Sequence, residues 1–531
     1  MAEELFWVDK TARKVIEREK KLKRGIKKYR TEMGVGASGI PHIGSAGDGV
    51  RSFALYLGLN NLKVPAEFIA FSDDRDGLRK VPVGFSKELE KHIGKPVSLI
   101  PDPFKCHKSF GDHISSLLID AFNKIGLKFT IKRASQEYPK GTFDKEIIEI
   151  LDNAQEAGRI IEETTSSTKF REQLPFLPIC KGCGRIYTTT AYKWDKAKKK
   201  IEYRCDAEFV GKNSNTGEEI LVKGCGHEGT CGIRDGKLAW KVEFAARWKA
   251  LKINYEAYGK DILESIKSND EICRNILRFE PPVHSFYEMF TERGGKKISK
   301  SAGNVFTPQN WLNYASVESV RLLFLKKLAK TRVVDADAIP AYEDEVDELA
   351  KIYFGDIKIK NPRELAHYKR LYEYIHFLKP PKKKPVVMIP FNTLARMLEL
   401  VTDKKLVIKV FQKTGHLPAK LTKEQEKEIA ARITRVNNWI KDQVKEKKPP
   451  IKLNAAQKKA LHQLADELKK KWTEKSLLGK LYEIAQENNL KSSQFFKAAY
   501  LAILESERGP RLAPLILAIG QKKVAEILKK V

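Results

Sequence analysis

The 531-residue chain has no apolar run near the roughly 20 residues needed to span a bilayer. Its longest apolar stretches, such as Leu515 to Ile519, are pieces of amphipathic helices, so no membrane-spanning segment is expected. Acidic residues are in deficit, with 68 Asp plus Glu against 99 Lys plus Arg and a formal charge of +31. The deficit is concentrated late, since residues 351–531 hold 40 basic and 18 acidic side chains. Such a field suits a polyanionic partner, nucleic acid first, over the plainer reading of a solvated basic surface. Cysteine is scarce outside one stretch: five of seven lie in 180–231, with Cys106 and Cys273 apart, which argues against a disulfide framework. The segment Met1–Trp7 lacks a charged region followed by an apolar core, so secretion is not expected and the cytoplasm is the expected location.

The length predicts three or four domains. Residues 28–100 alternate short apolar strands with helical patterns, for example Glu67 to Ser72 before an acidic turn, as βαβ units in a parallel sheet do. Residues 1–165 are therefore the expected first half of an α/β catalytic domain. From 166 to 239 the pattern changes to spaced cysteines, Thr-rich strand-like segments and the excursion Gly211 to Gly217, which predicts an inserted metal module. The α/β character returns over 240–345. Residues 346–531 predict an all-helical basic region, with Phe496, Ala499, Tyr500, Ile503 and then Val524, Ile527, Leu528 at helical spacing. Two Lys/Pro tracts, Lys379 to Pro385 and Lys445 to Lys452, predict exposed loops.

Gly34 to Gly49 form a glycine-dense loop ahead of an amphipathic helix bearing Val50, Phe53, Ala54 and Leu57. Glycines let a backbone approach a nucleotide, and a helix amino terminus directs N–H groups at phosphate. Far along the chain, Gly294 to Asn304 place Lys297 and Lys300 beside Ser299 and Ser301 on a glycine-flanked loop. Two lysines there would neutralise charge developing on a triphosphate and would not transfer protons.

Together, His42-Ile43-Gly44-Ser45 and Lys297-Ile298-Ser299-Lys300-Ser301 resemble the HIGH and KMSKS motifs of class I aminoacyl-tRNA synthetases. Further segments are similar to the class I lysyl-tRNA synthetases: Asp73 to Pro82, Pro101 to His107, Trp240 to Trp248, Tyr258 to Asp261 and Glu507 to Leu512. The resemblance implies a Rossmann catalytic domain with an inserted connective part, then a helical anticodon-binding region. It implies activation of L-lysine by ATP, with Mg2+, and transfer of the lysyl group to tRNA(Lys) by a monomer. His42, Lys297 and Lys300 would then be the catalytic clamps. Gly39, His42, Gly44, Ser45, Ser299, Lys300 and Ser301 would contact ATP. Gly34 and Gly36 would hold the α-amino side of lysine, and Trp240 and Tyr287 would line its pocket. A buried ammonium needs a carboxylate, and Glu243 is preferred over Asp73, Asp74 and Glu288. The chain departs from the family at Gly36-Ala37, Ser45 and Ile262, where Thr-Pro, Asn and His are usual. Those departures motivate an alternative, an RNA-binding protein without aminoacylation; a synthetase of glutamate specificity is another.

Cys180-Lys181-Gly182-Cys183 places two thiolates on one turn, half of a tetrahedral zinc site. Cys205 and Cys225 restore a second knuckle if residues 207–223 loop out, with His227 in reserve. Four protein ligands would make this zinc structural. Asp102, Cys106, His107 and His113 match a further family pattern, DPxxCHxxxxxH, and form a possible second zinc set.

Overall fold

The computed structural model describes residues 6–37, 39–291, 306–401, 403–442, 453–507 and 509–531. Tyr29–Val35 (β1), Ala66–Ser72 (β2), Thr130–Arg133 (β3), Tyr255–Gly259 (β4) and Val283–Tyr287 (β5) form one sheet of order β5-β4-β1-β2-β3, every pairing parallel. The register runs Val35 beside Ser72 and Gly259 beside Tyr287, so these carboxyl ends share one edge. Successive strands build outward from β1 in one direction and then the other, which makes β1 and β4 the switch point of a doubly wound sheet.

Helices cover both faces because neither face of a parallel sheet is left to water. Along β2, Phe68 packs on Phe53 of Gly47–Asn61 (α2), with ring centroids 5.5 Å apart. The alternating Ile69 and Phe71 join a core with Val242, Phe244 and Trp248 of the helix Trp240–Leu251. This period-two division is the strand pattern that the sequence suggested.

The inserted segment is built mainly of antiparallel strands. Phe176–Pro178 pairs with Gly236–Leu238 at its two ends, and Thr190–Asp195, Lys200–Arg204 and Glu228–Gly232 form a three-stranded sheet. The Gly/Asn excursion is the turn between Glu208–Asn213 and Glu219–Lys223. The first of these strands also pairs with Lys80–Val81, so the insert recruits a strand from the preceding region.

Two compact units result. The first comprises Met1–Gln309, Val320–Asp335 and Pro362–Lys379, and the second Asn310–Ser319, Ala336–Asn361 and Pro380–Val531. The helix Pro362–Ile375, grouped by sequence with the basic region, packs in the first unit. Arg370 reaches both carboxylate oxygens of Asp9 at 2.8 Å, and the Tyr374 hydroxyl donates to Asp9 at 2.7 Å. Among the described residues of 336–531 every regular element is a helix. The buried residues of Ser492–Leu504 are Phe495, Ala498, Ala499, Ala502, Ile503 and Leu504, a face rotated from the expected one, and Phe496 lies half-buried against Tyr482. The tract Lys379 to Pro385 is an irregular loop, and most of the second Lys/Pro tract lies outside the described residues. No helix among the described residues is long and apolar enough to cross a membrane.

Candidate active site and metal centres

Open α/β sheets bind ligands beyond the carboxyl ends of the strands at the switch point. Here that edge carries the glycine-dense loop. Gly34 borders open space, since a Cβ there would meet nothing within 4 Å. The chain then turns through His42 and the short 3-10 segment Ile43–Ala46 into α2. The Ile43 N–H donates to the Phe306 carbonyl at 2.8 Å, and the Ser45 N–H to the His42 carbonyl at 2.8 Å. Gly44 is required by a close approach: a Cβ would stand 2.9 Å from the His42 ring. Ser45 Oγ is buried with no hydrogen-bond partner among the described residues. Gly36 and Gly39 lie on the same turn. Lys297, Ser299, Lys300 and Ser301 lie outside the described residues.

Asp73 follows β2, and its N–H donates to the Val35 carbonyl at 3.2 Å. Its carboxylate faces Arg247, which is buried between the rings of Phe71 and Phe244 at 4.6 and 4.5 Å. The same guanidinium meets Glu32 at 2.5 Å and Glu256 at 3.3 Å. Three carboxylates around one cation cannot all ionise cheaply in a buried place. Burial accordingly pushes Asp73 up to about 7, and Glu32 well above the ordinary carboxylate range, against the pull of Arg247.

Glu243 is occupied by the chain itself. Its carboxylate accepts from the Tyr138 hydroxyl at 2.8 Å and pairs with Lys237 at 2.6 Å, and Lys237 also binds Asp76. Burial works against the Lys237 ammonium, but Asp76 and Glu243 outweigh it and hold that ammonium charged. The acid preferred from sequence as partner of a substrate ammonium thus already has a cation. Asp74 is also engaged, accepting from Ser135 N–H at 2.7 Å and Oγ at 2.5 Å. It lines a cavity of about 390 Å³ with Arg75, Lys108 and Arg133, at the ends of β2 and β3. Glu288 takes Lys260 at 2.8 Å.

Trp240 opens its helix, which returns antiparallel to β4, so its indole lies on the strands' carboxyl side. Trp240 is 36% exposed, and its ring centroid lies 5.3 Å from that of Phe244. Tyr287 ends β5; its hydroxyl donates to Asp48. Ile262, where the family has His, packs against the apolar core. Sequence reasoning missed Lys237, Arg247, Asp48 and Arg51, because their partners are remote along the chain and no local spacing announces them.

The cysteine set assembles as expected. The thiols of Cys180, Cys183, Cys205 and Cys225 lie within 4.8 Å of one another, with sulfur pairs at 3.6 and 3.7 Å. Tetrahedral zinc with bonds of about 2.3 Å separates its sulfurs by about 3.8 Å. Backbone N–H groups already approach two of these sulfurs, Gly182 to Cys180 at 3.3 Å and Cys225 to Cys205 at 3.4 Å. His227 packs on Tyr203 outside this set, and Cys231 is buried within its strand. Asp102, Cys106, His107 and His113 also bring one ligand atom each within 4.8 Å. Cys106 Sγ stands 3.1 and 3.2 Å from the two imidazole Nδ1 atoms and 3.2 Å from Asp102. The N–H groups of Cys106 and His107 both donate to Asp102 at 2.9 Å, making the tight turn that adjacent Cys and His ligands need.

A doubly wound sheet with this glycine turn at its switch point, followed along the chain by a helical region, describes a class I tRNA synthetase. The family profile described as tRNA synthetases class I (K) matches residues 5–377, and the chain belongs to that family. A protein named lysine–tRNA ligase from Cenarchaeum symbiosum is 38% identical over 533 residues, covering 98% of each chain. Another of that name from Natronomonas pharaonis is 30% identical over 548 residues, covering 99% of this chain and 97% of its own.

Proposed function

We propose that the chain is an ATP-dependent lysine–tRNA ligase, which forms lysyl-adenylate and pyrophosphate and then esterifies the 3′ end of tRNA(Lys). The observation that carries this reading is the gathering, at one sheet edge, of open Gly34, the His42 turn, Asp73, Trp240 and Tyr287. Lysine lies with its α-amino side toward Gly34 and Gly36 and its alkyl stem between Trp240 and Tyr287. With Glu243, Asp74 and Glu288 engaged, Asp73 is the acid for the ε-ammonium, which would draw its carboxyl back to the ionised form. His42, Gly39, Gly44 and Ser45 hold ATP, the buried Ser45 hydroxyl supplying an unused donor. Lys297, Ser299, Lys300 and Ser301, outside the described residues, would neutralise charge on the phosphates. Attack by the lysine carboxylate on the α-phosphorus needs no covalent enzyme intermediate, so these groups orient and neutralise.

Cys180, Cys183, Cys205 and Cys225 would hold one zinc, and Asp102, Cys106, His107 and His113 a second. Both sets are filled by protein ligands, so each metal would fix loops and leave the chemistry to the nucleotide site. The basic residues 346–531 would bind the anticodon arm of the tRNA.

Charging of tRNA with labelled lysine tests this reading. The wild-type chain should form lysyl-tRNA, and His42→Ala should slow it about a hundredfold. Charging by His42→Ala at the wild-type rate would remove the nucleotide role of that turn.

A further inference from the structure

Arg51, on the second turn of α2, is fully buried, yet among the described residues none of its three guanidinium nitrogens has a hydrogen-bond partner. An unpaired buried cation is costly and is not retained for packing alone. The guanidinium lies 3.8 Å from the centroid of the Tyr287 ring, with Phe324 at 5.6 Å. Gly47, one turn earlier, makes room for it: a Cβ there would stand 2.7 Å from Arg51 Nη1 and 3.2 Å from Tyr287. Asp48 lies beside that glycine and accepts the Tyr287 hydroxyl.

The groups facing this cluster are Glu256 and Tyr255 from β4, Asp261 beyond it, and Arg332 from the segment after Phe324. Burial pushes the Asp48 carboxyl up to about 6, opposed by the Tyr287 bond and by the charge of Arg51. Burial lowers Arg51 to about 10, so it remains a cation at neutral pH.

We propose that Arg51 is a positioning residue of the amino-acid site. Its guanidinium, packed on the face of the Tyr287 ring whose hydroxyl Asp48 accepts, fixes the ring against which the substrate side chain packs. The proposal rests on the reading of Tyr287 as a wall of the lysine pocket.

The test compares wild type, Arg51→Met, Arg51→Lys, Tyr287→Phe and the double variant Arg51→Met/Tyr287→Phe. KM and kcat for lysine are measured in the presence of tRNA across about pH 5.5–8.5. Arg51→Met should raise KM about tenfold with a smaller change in kcat, the size a desolvated cation–π contact commands. It should also move the lower part of the acid limb of kcat/KM, near pH 6, to higher pH, because Asp48 loses a compensating charge, while the part near 7 set by Asp73 stays. Arg51→Lys should keep the wild-type limb but bind lysine about threefold more weakly. In the Tyr287→Phe background the Met substitution should no longer move the limb. A limb that stays in place in Arg51→Met, or moves equally in both backgrounds, overturns the proposal. If Arg51→Met does not fold, Arg51→Lys decides it: wild-type KM would overturn the proposal. Direct calorimetric binding of lysine should give the same ranking of variants without turnover. If the wild-type chain binds a different amino acid, lysine specificity fails, and the ranking measured with that amino acid still decides the role of Arg51.

Discussion

Asp73 and Glu243 show how two acids near one site separate by their partners. Glu243 holds Lys237 and Tyr138 within hydrogen-bond reach, while Asp73 meets, among the described side chains, the shared Arg247 at 3.3 Å. Asp73→Asn should therefore raise the KM for lysine about tenfold. Glu243→Gln should instead cost about 3 kcal/mol of stability by leaving Lys237 short of a counter-charge. Chemical denaturation beside steady-state kinetics separates the two; a Glu243→Gln protein of normal stability with a raised KM would reverse the assignment. The pH dependence follows from the Asp73 carboxyl, raised by burial to about 7. A group whose folded value lies above its unfolded one stabilises the fold while protonated, and that contribution is lost as pH rises through about 7. Lysine binding runs the other way, since the ionised form pairs with the ammonium. The KM should fall as pH rises through about 7, and Asp73→Asn should flatten that slope.

At the scale of elements, the insert is a small β module of short strands, and its two ends are joined by the pairing of Phe176–Pro178 with Gly236–Leu238. A thiolate cluster is a suitable organiser for such a segment. Metal analysis should find two zincs per chain. Cys180→Ser/Cys183→Ser should remove one and lower the melting temperature; Cys106→Ala/His113→Ala should remove the other and open residues 101–109 to proteolysis. A folded, metal-free protein would refute both sites. Much of this layer was legible in the sequence, because period-two apolar strands, a CxxC knuckle and a glycine-dense turn are local signals. What was not legible depended on distant pairings. Lys80–Val81 joins a strand of the insert, and Lys237 meets Asp76 across the chain. The face buried by Ser492–Leu504 likewise takes in Phe495 where its own spacing suggested Phe496.

For the whole molecule, charge and architecture divide the labour. The first unit carries the sheet edge with the glycine turn, and the second is helical in its described residues and is drawn mostly from the basic last third of the chain. The boundary read from sequence at 345 differs from the packing, since Pro362–Ile375 is tied to Asp9 through Arg370 and Tyr374. In the full chain, replacing the exposed Lys469, Lys470 and Lys471 by Ala should weaken tRNA binding, with a shallower dependence of log affinity on log salt, as fewer phosphates are neutralised. An unchanged slope would contradict a tRNA role for the basic helices. The central claim is that the sheet edge bearing Gly34, His42, Asp73, Trp240 and Tyr287 activates lysine. Amino-acid-dependent ATP–pyrophosphate exchange, with tRNA present and every standard amino acid tried in turn, tests it most directly. Exchange driven by lysine alone is the predicted result; exchange driven by another amino acid, or by none, would contradict it.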